Sequence, residues 1–168
     1  APIADPVRIF QVRTAEQLTP ELAALRPDYI YVPALVMAED FSVMKPFIEN
    51  GSVPVAVLPR VITDDQTQDI YAALEKLFSY GVNEALVGNL GHVFMARRAG
   101  MKIRADFGVN AFNSYSMGVL SRVGFLSATA SFELRLSQIK DMAKPLNTEL
   151  IVYGRLPLMV SDQCIMRE

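Results

Sequence analysis

The chain has 168 residues, 51% of them hydrophobic, and its 16 basic and 18 acidic side chains give a net charge of −2. A chain of this length fits one domain around a single core, and its apolar runs are broken well before the roughly 20 residues that a membrane span needs. Because no block of like charge occurs, we expect no direct nucleic-acid binding. The single cysteine excludes an internal disulfide and favours a reducing, cytoplasmic compartment.

Strands and helical segments are predicted to alternate along the chain. Runs of β-branched and apolar residues indicate seven strands, and the segments between them carry helix signals, such as Thr14 at the start of the first. Pro46 is expected to break or kink the second helical segment. The predicted strands are 7–13, 29–33, 53–59, 84–89, 102–108, 125–130 and 149–155. The predicted helical segments are 14–27, 38–51, 63–81, 90–100, 112–123 and 134–145.

This alternation predicts a parallel sheet covered by helices, because parallel neighbours need crossover connections. A doubly wound sheet and a TIM-like barrel both satisfy it. Polar residues follow almost every predicted strand, which favours the barrel, where all strands share one mouth. A complete eight-unit barrel takes about 250 residues. We therefore expect an incomplete α/β barrel of about seven parallel strands, with residues 1–168 as one domain of a longer protein and residues 1–6 as a linker or cloning remnant.

The densest polar stretch is ADFGVNAFNS, residues 105–114, where a predicted strand runs into a helix. Asn110 and Asn113 are residue types that cap helices and satisfy free backbone amides. A functional interpretation places Asp106, Asn110 and Asn113 at a barrel mouth, where they orient a hydroxyl or carboxylate ligand. The two interpretations are compatible.

Three arginines, Arg13, Arg60 and Arg155, lie at or just after the ends of predicted strands, and Asn89 occupies the same kind of position. In a barrel their guanidinium groups would converge, and planar guanidinium groups favour carboxylate or phosphate. This pattern predicts an anionic small-molecule ligand. The alternative is that these arginines are solvated surface residues.

The single histidine, His92, and the single cysteine, Cys164, match no catalytic signature. A helix-start histidine is more often a packing residue, and a lone thiol is most often a small buried side chain. One cysteine and one distant histidine cannot supply the four ligands of a structural zinc site. We therefore do not expect Cys164 to bind a metal within this chain alone.

Three stretches carry a resemblance to a known family: ADFGVNAFNS, SATASFELRLSQIKDM and YGRLPLMVSDQC. In their order and spacing they resemble the collagenase-like peptidases of family U-32, from about residue 83 to the end and more loosely upstream. The chain looks most like the internal, barrel-type segment of the long members from Gram-positive anaerobic bacteria. The resemblance implies a peptidase.

The last stretch departs from the family pattern. Gly154, Ser161 and Cys164 match it, whereas Pro157 stands where a first cysteine would be and Asp162 replaces a glycine. Better-understood relatives resemble iron–sulfur proteins that hydroxylate RNA bases or quinone precursors without oxygen. The resemblance therefore implies that Cys164 is one member of a cluster-ligand set that the full-length parent would complete, and we expect no cluster in this chain.

Three functions stay open. The first is a peptidase domain acting on peptides, with Asp106 and Glu133 as candidate catalytic carboxylates. The second is an iron–sulfur hydroxylase using an anionic donor. The third is a non-catalytic barrel that packs against the rest of the parent chain or forms a homodimer through an exposed sheet edge. No membrane partner is expected.

Overall fold

The structure is a computed structural model that describes residues 6–156. It contains one sheet of seven parallel strands in the sequential order β1 to β7. The predicted fold class, an incomplete α/β barrel of about seven parallel strands, is confirmed. The strands are β1 (Ile9–Gln11), β2 (Tyr29–Pro33), β3 (Val53–Val57), β4 (Glu84–Val87), β5 (Lys102–Ala105), β6 (Ser127–Thr129) and β7 (Asn147–Glu149).

Helical segments connect every pair of consecutive strands, as parallel pairing requires. The α-helices are α1 (Pro20–Ala24), α2 (Ala34–Glu39), α3 (Lys45–Glu49), α4 (Thr67–Ser79), α5 (Val93–Arg98), α6 (Ser114–Val123) and α7 (Leu136–Asp141). Short 3-10 turns lie at Ala15–Gln17, Phe41–Met44, Asp64–Gln66, Leu90–His92 and Phe107–Val109.

The predicted break at Pro46 is confirmed. The helix α2 ends at Glu39, a 3-10 turn follows, and Pro46 lies in the first turn of α3. A proline is tolerated in that turn because its missing N–H would have no intrahelical partner there.

The prediction for the seventh strand is wrong in its bounds. Its apolar residues suggested a strand over 149–155, whereas β7 ends at Glu149. The register with β6 pairs Ser127 with Asn147 and Thr129 with Glu149, and β6 itself ends at Thr129. The following residues run past this partner, and Val152 is 90% exposed.

The two faces of the sheet have different surroundings. One face packs on the helices and forms the main core, in which Ile30, Ala85 and Ile103 meet Leu74 and Met117. Alternate residues point to the inner, concave face, where Tyr31, Val55 and Leu86 form a smaller apolar cluster. We call the space on this inner face the lumen.

A contact across the lumen shows that the sheet is curled. The Tyr31 hydroxyl on β2 donates a hydrogen bond of 2.9 Å to Glu149 Oε1 on β7, although four strands lie between β2 and β7 in the sheet. Within residues 6–156, β1 and β7 each pair on one side only, so the curled sheet stays open between them. None of the helices in this range is long and apolar enough to cross a membrane.

Candidate functional site

Asp106 follows directly after β5 and lies at the C-terminal end of the sheet, which we call the mouth. Its Oδ1 accepts a 2.8 Å hydrogen bond from the Phe107 backbone N–H, so the carboxylate caps the 3-10 turn Phe107–Val109. Burial raises the pKa of this carboxyl, the Phe107 N–H and the Arg60 charge lower it, and the Glu149 charge raises it, with a net rise. A carboxyl with this bias can take up a proton more readily than an exposed aspartate.

Arg60 and Asn89 extend the mouth beside Asp106. The Arg60 guanidinium lies over the Phe107 ring, 5.7 Å from its centroid, and that ring meets Phe132 edge-on at 5.6 Å between centroids. The Asn89 side chain donates to the Arg60 backbone carbonyl at 3.5 Å and accepts from Gly91 N–H at 2.9 Å. Arg60 and Asn89 are both exposed, so their side chains face solvent at the mouth.

The two asparagines of the 105–114 stretch have local structural roles. Asn113 Oδ1 accepts a 2.9 Å hydrogen bond from Ser116 N–H and caps α6, so the capping interpretation is confirmed for this residue. Asn110 adopts the left-handed conformation, with φ 57°, that asparagine tolerates better than most residues. Both asparagines are exposed.

The remaining predicted site residues are more dispersed. Glu133 is exposed, and its backbone N–H donates to Ser131 Oγ at 3.4 Å. Arg155 is exposed and lies six residues beyond the end of β7, so the position predicted for it at a strand end is wrong. Arg13 is exposed beside a pocket at the ends of β1 to β3. Cys164 lies outside the described residues.

His92 is a buried residue of the turn before α5. Its Nδ1 has no hydrogen-bond partner within residues 6–156, and burial lowers the pKa of its imidazole. Its burial agrees with the interpretation of His92 as a packing residue.

A buried ionic network fills the lumen beneath the mouth, and its central residue, Arg104 on β5, was not among the predicted site residues. Arg104 Nε donates to Glu84 at 2.5 Å, and Nη1 donates to Glu149 at 3.0 Å. Nη1 also donates to Ser127 Oγ at 3.1 Å. The guanidinium lies over the Tyr29 ring, 4.1 Å from its centroid.

The network fixes the protonation states of Arg104 and Tyr31. Burial alone would lower the pKa of Arg104, but Tyr31, Glu84 and Glu149 outweigh it and raise that pKa, so the guanidinium stays charged. Burial and the Glu149 carboxylate raise the pKa of Tyr31, so its hydroxyl remains a donor at neutral pH. Two acidic side chains, Glu84 and Glu149, lie around one cation in this part of the lumen.

The sequence carried a signal for this network. Lys102, Arg104 and Asp106 alternate with apolar residues, which places all three on one face of β5. Arg104 lies between the apolar residues Ile103 and Ala105 of β5, and a charge in such a position is buried only when it is paired. What the sequence did not reveal is its set of partners, because Glu84, Ser127 and Glu149 come from three other strands.

Among residues 6–156, no three His, Cys, Asp or Glu side chains are arranged to hold one metal ion. Cys164, the cluster ligand that the family resemblance implied, lies outside these residues.

The curled parallel sheet, its helical layer and its polar mouth define a protein of the barrel-like (β/α) class. Residues 37–168 match the model of peptidase family U32. The chain belongs to peptidase family U32. A comparison with curated proteins finds no match.

One solved structure with a similar fold is the crystal structure of D-psicose 3-epimerase in the presence of D-fructose. It aligns with a TM-score of 0.50 and 11% sequence identity, over 89% of this chain and 74% of the epimerase chain. At this identity the likeness concerns the fold alone.

Proposed function

We propose that this chain carries a hydrolytic site of a peptidase, with Asp106 as the acid–base group at the mouth of the incomplete barrel. The single observation that carries the proposal is the environment of Asp106. Asp106 is half-buried, its carboxyl has a raised pKa, and it lies at the C-terminal end of a parallel strand, where (β/α) barrels hold their active sites. Membership of peptidase family U32 supports the choice of reaction.

In the proposed step, ionised Asp106 accepts a proton from a water molecule while the water oxygen bonds to the peptide carbonyl carbon. The C–N bond then breaks, and the proton held by Asp106 passes to the leaving nitrogen. Water is the co-reactant, and the products are a carboxylic acid and an amine. A positioned general base of this kind contributes about 10²–10⁴-fold to the rate.

Arg60 is proposed to stabilise the negative charge that develops on the carbonyl oxygen. The position of Arg60 supports this role. Its charge lowers the pKa of the Asp106 carboxyl, and its guanidinium lies over the ring of Phe107, the residue that follows Asp106. A fixed cation near a developing oxyanion lowers the barrier more than a mobile one.

The test is hydrolysis of gelatin and unstructured peptides by the full-length protein and its variants. Asp106→Asn keeps the turn-capping oxygen but removes the proton acceptor, and we expect kcat to fall by about 10²-fold or more. Asp141→Asn, at the exposed end of α7, is the matched control and should retain wild-type activity. Glu133→Gln should cost much less than Asp106→Asn, since Glu133 is exposed. Wild-type kcat in Asp106→Asn would remove this residue from the mechanism.

A further inference from the structure

A pocket of about 300 Å³ lies at the mouth, at the C-terminal ends of β1 to β3. Its volume is at the lower end of the range of roughly 300–1,000 Å³ found for small-molecule sites, and it is large enough for one side chain and its neighbouring atoms. The mechanism proposed above uses none of its lining residues.

The pocket wall is apolar and rigid. Pro33 ends β2, and Pro59 lies two residues beyond β3. The other apolar lining residues are Ala34, Leu35, Val57 and Leu58, and Gln11 and Arg13 are the polar ones. Proline has no backbone N–H and a fixed φ, so these two positions present neither a donor nor a mobile backbone. The wall therefore favours an apolar group.

One cation stands at the edge of this apolar wall. Arg13 lines the pocket, and its guanidinium makes no ion pair with any residue in the range 6–156. Its backbone is held in place, because Gln17 Oε1 accepts hydrogen bonds from Arg13 N–H at 2.6 Å and from Thr14 N–H at 3.2 Å. A guanidinium without a carboxylate partner is suited to bind one from a ligand.

The pocket is connected to the proposed catalytic group through one residue of the chain. Pro59 forms part of the wall, and the next residue, Arg60, stacks on Phe107 beside Asp106. Arg60 therefore links the pocket wall to the mouth residues.

We propose that this pocket binds the C-terminal residue of a peptide substrate, with a large apolar side chain against the prolines and the terminal carboxylate on Arg13. Only a C-terminal residue carries an apolar side chain and a carboxylate on the same carbon atom, which is the combination that this wall and this cation match. The choice of a peptide as the ligand rests on the proposed function. The test does not depend on it, because binding is measured without hydrolysis.

The experiment measures equilibrium binding by calorimetry to the full-length protein carrying Asp106→Asn, so that hydrolysis does not interfere. The probes are a tetrapeptide ending in leucine with a free carboxylate, the same peptide with an amide end, and one ending in glycine. We expect the free-acid leucine peptide to bind about tenfold more tightly than the other two, the effect of one charge-assisted contact or one buried side chain.

Arg13→Gln should abolish the difference between acid and amide. Leu35→Ser, at a half-exposed position, should reduce the difference between leucine and glycine. Arg122→Gln removes an exposed arginine at the opposite end of the molecule and is the matched control, with binding unchanged.

Two results would overturn the inference. One is an unchanged preference for the acid in Arg13→Gln. The other is binding of 4-methylpentanoate, a free acid with the same side chain, as tight as that of the peptide, which would make the ligand a small carboxylate. Failure of hydrolysis with the binding pattern intact would refute only the proposed function, whereas hydrolysis without discrimination between acid and amide would refute only this inference.

Discussion

The two kinds of ion pair in this protein differ in their energetic weight. Lys45 and Glu49 are 3.8 Å apart with side chains 75% and 64% exposed, and such a pair is worth about 0.5 kcal/mol or less. Arg104 is 6% exposed and bound by two carboxylates, so removing it would leave uncompensated buried charge at a cost of about 3–5 kcal/mol. The network around Arg104 therefore restricts the lumen far more than any surface pair.

Asp106 gives a prediction about pH. Because its folded-state pKa lies above the ordinary value of 3.8, the folded protein binds the proton more tightly than the unfolded chain does. This residue therefore lowers the free energy of unfolding as the pH rises through the unfolded and then the folded pKa. Asp106→Asn removes that loss. The variant should therefore be more stable than the wild type at pH 7, and the difference should be small below pH 4.

The measurement is urea unfolding of both proteins across this pH range. Asp141→Asn serves as the control, because an exposed carboxyl should show no comparable pH-dependent difference. A stability difference between Asp106→Asn and the wild type that is the same at every pH would contradict the raised pKa.

At the scale of elements, the ends of β4 and β5 approach each other closely through two glycines. A Cβ built on Gly108 would lie 2.4 Å from the Gly88 carbonyl oxygen, which belongs to the backbone and cannot rotate away. The turn that presents Asp106 therefore depends on glycine at position 108. Gly118 in α6 differs, since nothing lies within 4 Å of its Cβ position.

This contrast predicts opposite effects of the same substitution. Gly108→Ala should destabilise the protein by about 1–3 kcal/mol through overpacking, whereas Gly118→Ala should stabilise it by up to about 1 kcal/mol, the helix-propensity gain. Chemical denaturation of the two variants checks the signs. A neutral Gly108→Ala would show that β4 and β5 separate at their ends without cost.

At the scale of the whole molecule, the curl of the sheet depends on a contact between distant strands. The Tyr31 hydroxyl on β2 and Ser127 on β6 both donate to Glu149 on β7, at 2.9 and 2.5 Å. Tyr29, on the same strand and face as Tyr31, uses its ring instead, under the Arg104 guanidinium. The two tyrosines therefore separate the contribution of a hydroxyl from that of an aromatic face.

We expect Tyr31→Phe to lower the free energy of unfolding by about 1.5–3 kcal/mol, the usual loss for a hydrogen bond to a charged group. Tyr29→Phe should change it by less than about 0.5 kcal/mol, because its ring is retained and its hydroxyl has no hydrogen-bond partner within residues 6–156. Equilibrium unfolding in urea compares the two variants, and equal losses would contradict a specific role for the contact across the lumen.

The order and type of the elements could be predicted from the sequence because their signals are local. The predicted strand 29–33 coincides with β2, and the predicted break at Pro46 occurs where a proline cannot continue a helix. The seventh strand was misplaced because its apolar residues satisfy a strand pattern, whereas the length of β6 decides where pairing stops.

The residues of the candidate site also differ in whether a local sequence signal reveals them. Asp106 was found from its place near the end of a predicted strand, and Asn113 from its capping chemistry. Arg104, Glu84, Glu149 and Tyr31 were not found as a group, although each is visible as a polar residue in or beside a strand.

The sequence by itself determined that strands and helices alternate, that the sheet is parallel and where several polar strand ends fall, because periodicity and turn residues act over a few positions. Only the tertiary structure decided which charges meet in the lumen and that Arg155 lies away from the strand ends. The physical reason is that pairing register and sheet curvature arise from contacts between residues as far apart in the chain as Tyr31 and Glu149, and no local pattern encodes such a contact.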